Sequence, residues 1–397
     1  MKEKKIIAVI FGGVSVEHDV SILTGLQIIE AIDSTKYKVI PIYIDQYGQW
    51  YHGKELLQRK NYHFSQKIKD KLNKISLKTS IGHKQRPFFE IENNSIFNKK
   101  NRILFDIAFL ALHGSAGENG QIQGLLSMLN IPHTGADHFT SAIFMNKSMT
   151  KKILKSHDIN VLPDQIISKP ESLNKNQILN EINLEFPLCV KPCNLGSSVG
   201  VSKAKDPDEL YESLLEIFKI DNAAIIEPFV ENLVEYNISA TNCLSGKLEL
   251  SAIEKPLKNS NFLTFKDKYL NDDNDFDNKL QFPSSQGMAS SSREINPKLT
   301  KKHQEFIENT AIKLFEIFNF NGAPRIDFLC NEKTKEIWFN EINPLPGSLG
   351  YYLWQSNKNN INFTQLLSAL IDQAIKSGNK IDNHNLKALK ANIFPGD

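Results

Sequence analysis

Two short segments near the C-terminus, Gly322-Ala-Pro-Arg325-Ile-Asp327-Phe-Leu329 and Ile337-Trp-Phe-Asn-Glu341-Ile-Asn343-Pro344, carry the residue types most suited to chemistry. Read as strands, Ile326 and Phe328 point one way and Arg325 and Asp327 the other, while Glu341 and Asn343 stand together by the same period of two. With Asn331-Glu-Lys-Thr-Lys335 as the turn of a hairpin, opposed side chains lie roughly 5 Å apart. Carboxylates that close in an apolar strand are costly unless a cation or proton neutralises them. Magnesium, held by a few carboxylates, an amide and the phosphate oxygens of a nucleotide, answers that need. A surface hairpin with an Arg–Asp pair is the alternative that this segment alone leaves open.

Lys191, followed by Gly196-Ser197-Ser198-Val-Gly200, is the second such feature. Small residues let backbone N–H groups approach phosphate oxygens, and a strand lysine supplies charge. The pattern GxxxxGK[ST] is absent, so a nucleotide is gripped here between a hairpin and a second sheet, if at all. An ordinary flexible β-turn is the competing reading.

The elements around these residues alternate between strand and helix. Lys5 to Phe11 reads as a buried strand, Gly12-Gly13 as a tight turn, and Ser15 as the N-cap of a helix through Val20, Leu23, Leu26, Ile29 and Ile32. Strands follow at Tyr37–Ile44 and at 102–112, the latter ending in His113-Gly114-Ser-Ala-Gly117-Glu118-Asn119-Gly120 before a helix through Ile122, Leu125, Leu126 and Leu129. This alternation predicts an open, mostly parallel sheet whose ligands gather beyond the strand C-termini. Neither glycine stretch contains GxGxxG, which weakens a dinucleotide reading.

Residues 54–101 show little periodicity and read as a surface elaboration, with a short hairpin over 88–97. One helix is expected over 141–154, with a change of character at Pro163. Then come a strand over 186–192, the glycine-serine hairpin loop, a helix over 210–218 and a strand over 224–230. The poorly hydrophobic stretch 261–292, around Lys266, Lys268 and Tyr269, reads as a lid. Helices at 300–318 and 363–375 flank and follow the metal hairpin.

At 397 residues the chain exceeds one core, so two or three α/β domains are expected. A net charge of +2 gives no global case for a nucleic acid or membrane partner. The four cysteines, Cys189, Cys193, Cys243 and Cys330, lack metal-finger spacing and read as reduced thiols of a cytoplasmic protein. Lys5–Phe11 is too short for a secretion signal, and no stretch is long enough to span a bilayer.

Taken in order, these pieces resemble the D-alanine–D-alanine ligases of the ATP-grasp superfamily over nearly the whole chain. The residues carrying the resemblance are Phe11-Gly-Gly-Val-Ser-Val-Glu17-His-Asp-Val-Ser21, His113-Gly-Ser-Ala-Gly-Glu-Asn-Gly-Gln-Ile-Gln-Gly124, Lys191-Pro with Gly196-Ser-Ser-Val-Gly-Val201, Lys268-Tyr269, Arg325-Ile-Asp327 and Asn340-Glu-Ile-Asn343-Pro-Leu-Pro-Gly347. The resemblance implies an α/β fold: an N-terminal, open, mostly parallel sheet domain (1–140), then a two-lobed ATP-grasp α+β region. Its small lobe spans 141–230 and carries the phosphate hairpin; its C-terminal lobe spans 231–397 and carries the lid and metal site. The implied reaction transfers the γ-phosphoryl of ATP to the carboxylate of one D-alanine, and the amine of a second attacks the resulting acylphosphate. Cell-wall precursor synthesis and a homodimer joined through the N-terminal domain are implied with it.

By match to those motifs, Asp327, Glu341 and Asn343 hold two Mg²⁺ (or Mn²⁺) ions, with Glu341 bridging. Lys147 and Lys191 meet the α- and β-phosphates, Ser197 and Ser198 belong to the loop over them, and Lys268 approaches the γ-phosphate. Glu227, Phe229 and Val230 form the adenine hinge, and Glu235 takes the ribose hydroxyls. Glu17 holds the ammonium of the first D-alanine, with Ser197 and Tyr269 hydrogen-bonded to it. His113 lies near that substrate and is not assigned as a base. Arg325 and the N–H of Gly347 stabilise the oxyanion. Locally, Glu17 reads equally well as first-turn helix acidity, Lys147 and Glu235 as solvated charges, and Tyr269 as a loop aromatic.

Two departures stand out. Where many family members place a serine past the Pro-Gly turn to receive the second carboxylate, this chain has Gly347-Ser348-Leu-Gly-Tyr-Tyr352, leaving Ser348 or Tyr352 as substitutes. Asn119 stands where the family commonly has Asp. D-lactate or D-serine as acceptor is the near rival, although Lys268-Tyr269 resembles the dipeptide-forming type. A nucleotide-binding regulatory protein without turnover is the distant one, disfavoured because binding needs no oxyanion donor.

Overall fold

The computed structural model describes residues 3–63, 66–79, 86–92, 102–171, 174–257 and 292–388. The first sheet contains β1 (Lys5–Gly12), β2 (Tyr37–Ile44), β3 (Trp50–His52), β4 (Asn73–Leu77), β5 (Phe88–Ile91), β6 (Arg102–Leu104) and β7 (Ile107–Leu110), in the order β6-β5-β4-β3-β2-β1-β7. Its parallel part is β2-β1-β7. The segment expected to be a surface elaboration extends the same sheet through antiparallel pairs from β2 to β6. The single strand expected over 102–112 is two strands. Asp106 turns the chain between them, its carboxylate accepting the Ile6 N–H at 2.7 Å and pairing with Arg86. The apolar run of β1 is buried from Ile7 onward, as befits a central strand covered on both faces.

The helix after β1 runs from His18 to Ala31 and has Glu17, not Ser15, in the N-cap position, without a side-chain cap. The Ser15 hydroxyl instead accepts the Glu17 N–H two residues on, a local turn that competes with capping. The core of this sheet is closed from the other end of the chain. Leu345, Leu349, Trp354, Leu366, Leu367, Leu370 and Ile371 pack into it, the last four from the helix Phe363–Ala388, which continues beyond the expected end at 375.

A four-stranded second sheet has β8 (Gln165–Ser168), β9 (Leu188–Pro192), β10 (Ser202–Ala204) and β11 (Ala223–Pro228) in the order β10-β9-β11-β8. The helix Pro207–Ile217, capped by Asp206, covers it with Leu210, Leu214 and Ile217 at helical spacing. The third sheet orders β12 (Leu233–Thr241), β13 (Glu249–Leu250), β14 (Glu254–Pro256), β15 (Arg293–Ile295), β16 (Arg325–Asn331) and β17 (Ile337–Asn343) as β15-β14-β12-β16-β17, with β13 on β12. The helix Lys301–Phe318, capped by Thr300, packs Ile307, Ala311 and Leu314 against it.

The helix expected over 141–154 is two, His138–Met145 and Lys147–Ser156. Asn146 leaves the helical conformation and its side chain accepts the Met149 N–H, capping the second helix. No helix of the described residues is long and apolar enough to cross a membrane.

Candidate active site

The hairpin β16–β17 pairs Arg325 with Asn343 and Asp327 with Glu341, as alternation predicted. Asn331 closes its turn, accepting the N–H groups of Lys333 and Thr334. The register then shifts: Phe328 faces Phe339, so Asn340 is an extra residue on β17. Such a bulge re-aims a side chain. Here the Asn340 amide oxygen meets the Lys191 ammonium at 3.3 Å, in a cavity that Asn340 and Glu341 line together.

That cavity lies between the second and third sheets. Lys147, Lys191, Gly196, Ser198, Glu227, Phe229, Val230, Glu235 and Glu341 are among its walls. The loop 194–202 crosses it, with Ser197 and Ser198 in the left-handed region at φ 52° and 60°. Lys147 owes its place to the Asn146 break. Its backbone N–H donates to Cys193 O, its ammonium donates to Leu195 O at 2.6 Å, and it lies 3.3 Å from Glu341. Glu227 is buried between two lysines, Lys191 at 2.6 Å and Lys151 on its other oxygen. Burial alone would raise the Glu227 carboxyl, but Lys191 and Lys151 hold it down at about 2. Burial opposes the Lys191 charge as well, and Glu227 more than offsets it, so this ammonium titrates above its ordinary value. The Lys203 ammonium sits 3.9 Å from the centre of the Phe229 ring.

A second cavity adjoins the first. Glu17, His113, Glu118, Ser197, Arg325, Asn343 and Gly347 are among its walls, and it shares Lys147, Gly196 and Glu341 with the first. The Ser197 hydroxyl donates to Glu17, tying the loop to the helix that begins at His18. Arg325 grips Asp327 through two parallel bonds, Nε at 2.7 Å and Nη2 at 2.6 Å, and Asn343 adds a third contact to Asp327 at 3.1 Å. Burial works against the guanidinium, yet Asp327 keeps it charged. His113 is buried, and burial lowers it to about 4. It is a neutral imidazole at physiological pH, held by the Thr24 hydroxyl at 2.8 Å, and therefore poorly suited to be a base.

Asp327, Glu341 and Asn343 present oxygen donors only, and no third His, Cys, Asp or Glu joins them among the described residues. A hard but incomplete oxygen set of this kind fits Mg²⁺ completed by phosphate and water oxygens. Arg325 and Lys147 neutralise the two carboxylates in this structure.

Ser348 and Tyr352 are not among the described residues that line either cavity, and neither is Asp327, which lies behind Arg325 with both oxygens accepting from it. Ser348 is buried with its N–H on the Thr24 hydroxyl. The Tyr352 hydroxyl donates to Glu254 at 3.2 Å, under an Arg293 guanidinium 3.7 Å above its ring, and burial pushes it up to about 12. A carboxylate already held by Arg293 and Asn237 is a strong acceptor, which is why the hydroxyl turns there. Lys268 and Tyr269, with the expected lid, lie outside the described residues.

Three participants escaped the sequence reading: Asn340, Lys151 and Glu118. Glu118 accepts the Gly114 N–H at 2.9 Å. Burial, reinforced by the neighbouring Glu17, raises its carboxyl well above the ordinary range, which favours its protonated form. Its sequence signal was an acidic residue in the glycine-rich block at a strand end, a block that carries the resemblance but in which no role fell to Glu118.

A cleft walled by two lysines and a glycine-serine loop, adjoining a cavity with a fixed guanidinium, suits a carboxylate–amine ligase of the ATP-grasp kind. Comparison with known proteins narrows this. The sequence models of the D-Ala-D-Ala ligase N-terminus and C-terminus match residues 6–136 and 153–372. A D-alanine–D-alanine ligase of Thermosipho melanesiensis is 33% identical over 373 residues, 93% of each chain. The chain belongs to the D-alanine–D-alanine ligase family. Among solved structures, the D-alanine–D-alanine ligase of Coxiella burnetii shares the fold, with a TM-score of 0.75 at 24% identity over 96% of both chains. A D-Ala:D-Ser ligase of Enterococcus faecalis superposes with a TM-score of 0.73 at 25% identity, covering 94% of this chain and all of that one.

Proposed function

We propose that this protein joins two D-alanines at the expense of ATP, for cell-wall precursor synthesis in the cytoplasm. The observation that carries the reading is the wall shared by the two cavities at Lys147, Gly196 and Glu341. A terminal phosphate in one and a carboxylate in the other meet there. Phosphoryl transfer asks chiefly for positioning and charge neutralisation. The first carboxylate oxygen takes the γ-phosphoryl and ADP leaves; the second amine, having lost a proton, then attacks the acyl carbon, and phosphate departs.

In this reading Lys147 and Lys191 meet the α- and β-phosphates under the loop of Ser197 and Ser198. Glu227, Phe229 and Val230 face adenine, and Glu235 faces the ribose. Asp327, Glu341 and Asn343 would hold Mg²⁺, which supplies neutralisation of the phosphate charge. Glu17, fixed by Ser197, receives the first ammonium, with His113 beside it. Arg325 and the Gly347 N–H meet the developing oxyanion, where each fixed donor is worth roughly 3 kcal/mol. Lys268 and Tyr269 complete the phosphate and ammonium sites from the lid. Divisions near 140 and 230 and a homodimer belong to the same reading.

The test is product mass. ATP and Mg²⁺ are supplied with D-alanine alone, or with D-alanine plus D-lactate or D-serine. D-alanyl-D-alanine as the dominant product supports the reading, and a dominant mixed product with D-lactate or D-serine overturns the choice of acceptor.

A further inference from the structure

Lys151 lies one helical turn beyond Lys147, yet it does not line the nucleotide cavity among the described residues. It is buried behind it. Its ammonium donates to one oxygen of Glu227 and to Leu162 O at 3.1 Å, and lies 3.9 Å from Asp164, which Lys155 also pairs. The other Glu227 oxygen holds Lys191 at 2.6 Å, and Lys191 does line the cavity. One buried carboxylate thus sits between two ammonium groups, one hidden and one presented to the cleft.

A buried charge is tolerated only when paired, and a pair in a low-dielectric interior binds tightly. With Lys151 removed, Glu227 would have Lys191 alone: the two form a net-neutral pair, and the lysine facing the cleft is spent inside the protein. With Lys151 present the group of three carries one net positive charge, and only Lys191 can offer it to the cleft. We propose that Lys151 is a positioning residue whose charge, taken up by Glu227, keeps that carboxylate from neutralising the cleft-facing Lys191, so that the triphosphate of the nucleotide finds a cation there. This rests on reading the cavity as the ATP site.

The prediction separates phosphate from base. Binding of a non-hydrolysable ATP analogue and of adenosine is measured by calorimetry on the wild type, Lys151→Met and Lys151→Met/Glu227→Gln. In the single variant the ATP analogue should bind about 30-fold more weakly, as expected when one charge of a close pair is lost, while adenosine stays within about threefold. The double variant removes both charges, leaves no orphan carboxylate, and should bind the ATP analogue about tenfold more tightly than the single variant, whatever the loss of the adenine-facing Glu227 does to adenosine. Equal losses for the analogue and adenosine would mean that Lys151 merely props the hinge, and would overturn the proposal. So would unchanged affinity in a folded single variant, or a double variant no better than the single.

Should Lys151→Met fail to fold, the double variant is compared with Glu227→Gln alone. The two should agree within about threefold, and a tenfold gap contradicts the proposal. A wild type that binds neither the analogue nor adenosine brings down the nucleotide reading itself, an outcome distinct from every one above.

Discussion

The two adjoining cavities neutralise their charges by opposite means. Around the nucleotide cavity, carboxylates and ammonium groups are interleaved: Glu227 between Lys191 and Lys151, Glu341 beside Lys147. Around the amino-acid cavity, Glu17 stands beside Glu118 and a neutral His113, while Arg325 is committed to Asp327 and Lys147, on the shared wall, to Glu341. The first arrangement can exchange an internal ion pair for phosphate. The second raises the Glu118 carboxyl through burial and Glu17, and so favours the protonated form of one acid beside the other. Phosphate recognition thus rests on lysines that have internal partners to leave, and ammonium recognition on Glu17, beside a carboxyl that burial raises.

The sharpest way to break that contrast is at the shared wall. Glu341→Gln should retain the wild-type melting temperature and lose turnover by about 100-fold or more. Near-normal turnover in that variant would remove Glu341 from the site. Glu17→Gln comes next. It should raise KM for the first D-alanine by about 10- to 100-fold, the loss of one charge-assisted contact, with KM for ATP unchanged. A shift in both constants would mean that the two cavities do not divide the labour as described.

Glu118→Gln is a finer probe, because the amide mimics the protonated form that burial and Glu17 favour. Its raised carboxyl contributes stability below the unfolded value of 4.5 that is lost as pH rises toward the folded value. The variant should therefore gain melting temperature over wild type at pH 8, and the gain should shrink as pH is lowered toward 5, with KM for D-alanine changed by less than about fivefold. A gain that grew on acidification would reverse the sign and the assignment. The smallest effect is expected from Tyr352→Phe. It deletes one of the bonds to Glu254 and should cost about 1 kcal/mol of stability, while KM for the second D-alanine stays within about threefold. A rise of about 30-fold or more would return Tyr352 to the role of carboxylate receptor.

Much of this was legible in the sequence, and the reasons are local. Strict alternation placed Arg325, Asp327, Glu341 and Asn343 on one face, and the paired strands keep that register. The hairpin from Lys191 to Ser202 was readable from its small residues, and the helix after Thr300 from its apolar period, whereas the cap expected at Ser15 was not formed. What failed was what depends on a break in a period or on a distant partner. The bulge that turns Asn340 toward Lys191 leaves no mark in the residue pattern. Asn146 interrupts one apparent helix. Lys151 looks like any helix lysine until Glu227, 76 residues on, is folded against it. Tyr352 looked like a substrate contact because Glu254, 98 residues before it, could not be seen to hold its hydroxyl.

The central claim is that a phosphate and an amino-acid carboxylate meet at the wall shared by the two cavities. It is tested most directly by the rate of phosphate release from ATP, with and without D-alanine. The account predicts slow release alone and a D-alanine-dependent increase that saturates and is lost in Glu17→Gln at low D-alanine. Release that is indifferent to D-alanine, or the same dependence in Glu17→Gln as in the wild type, would contradict it.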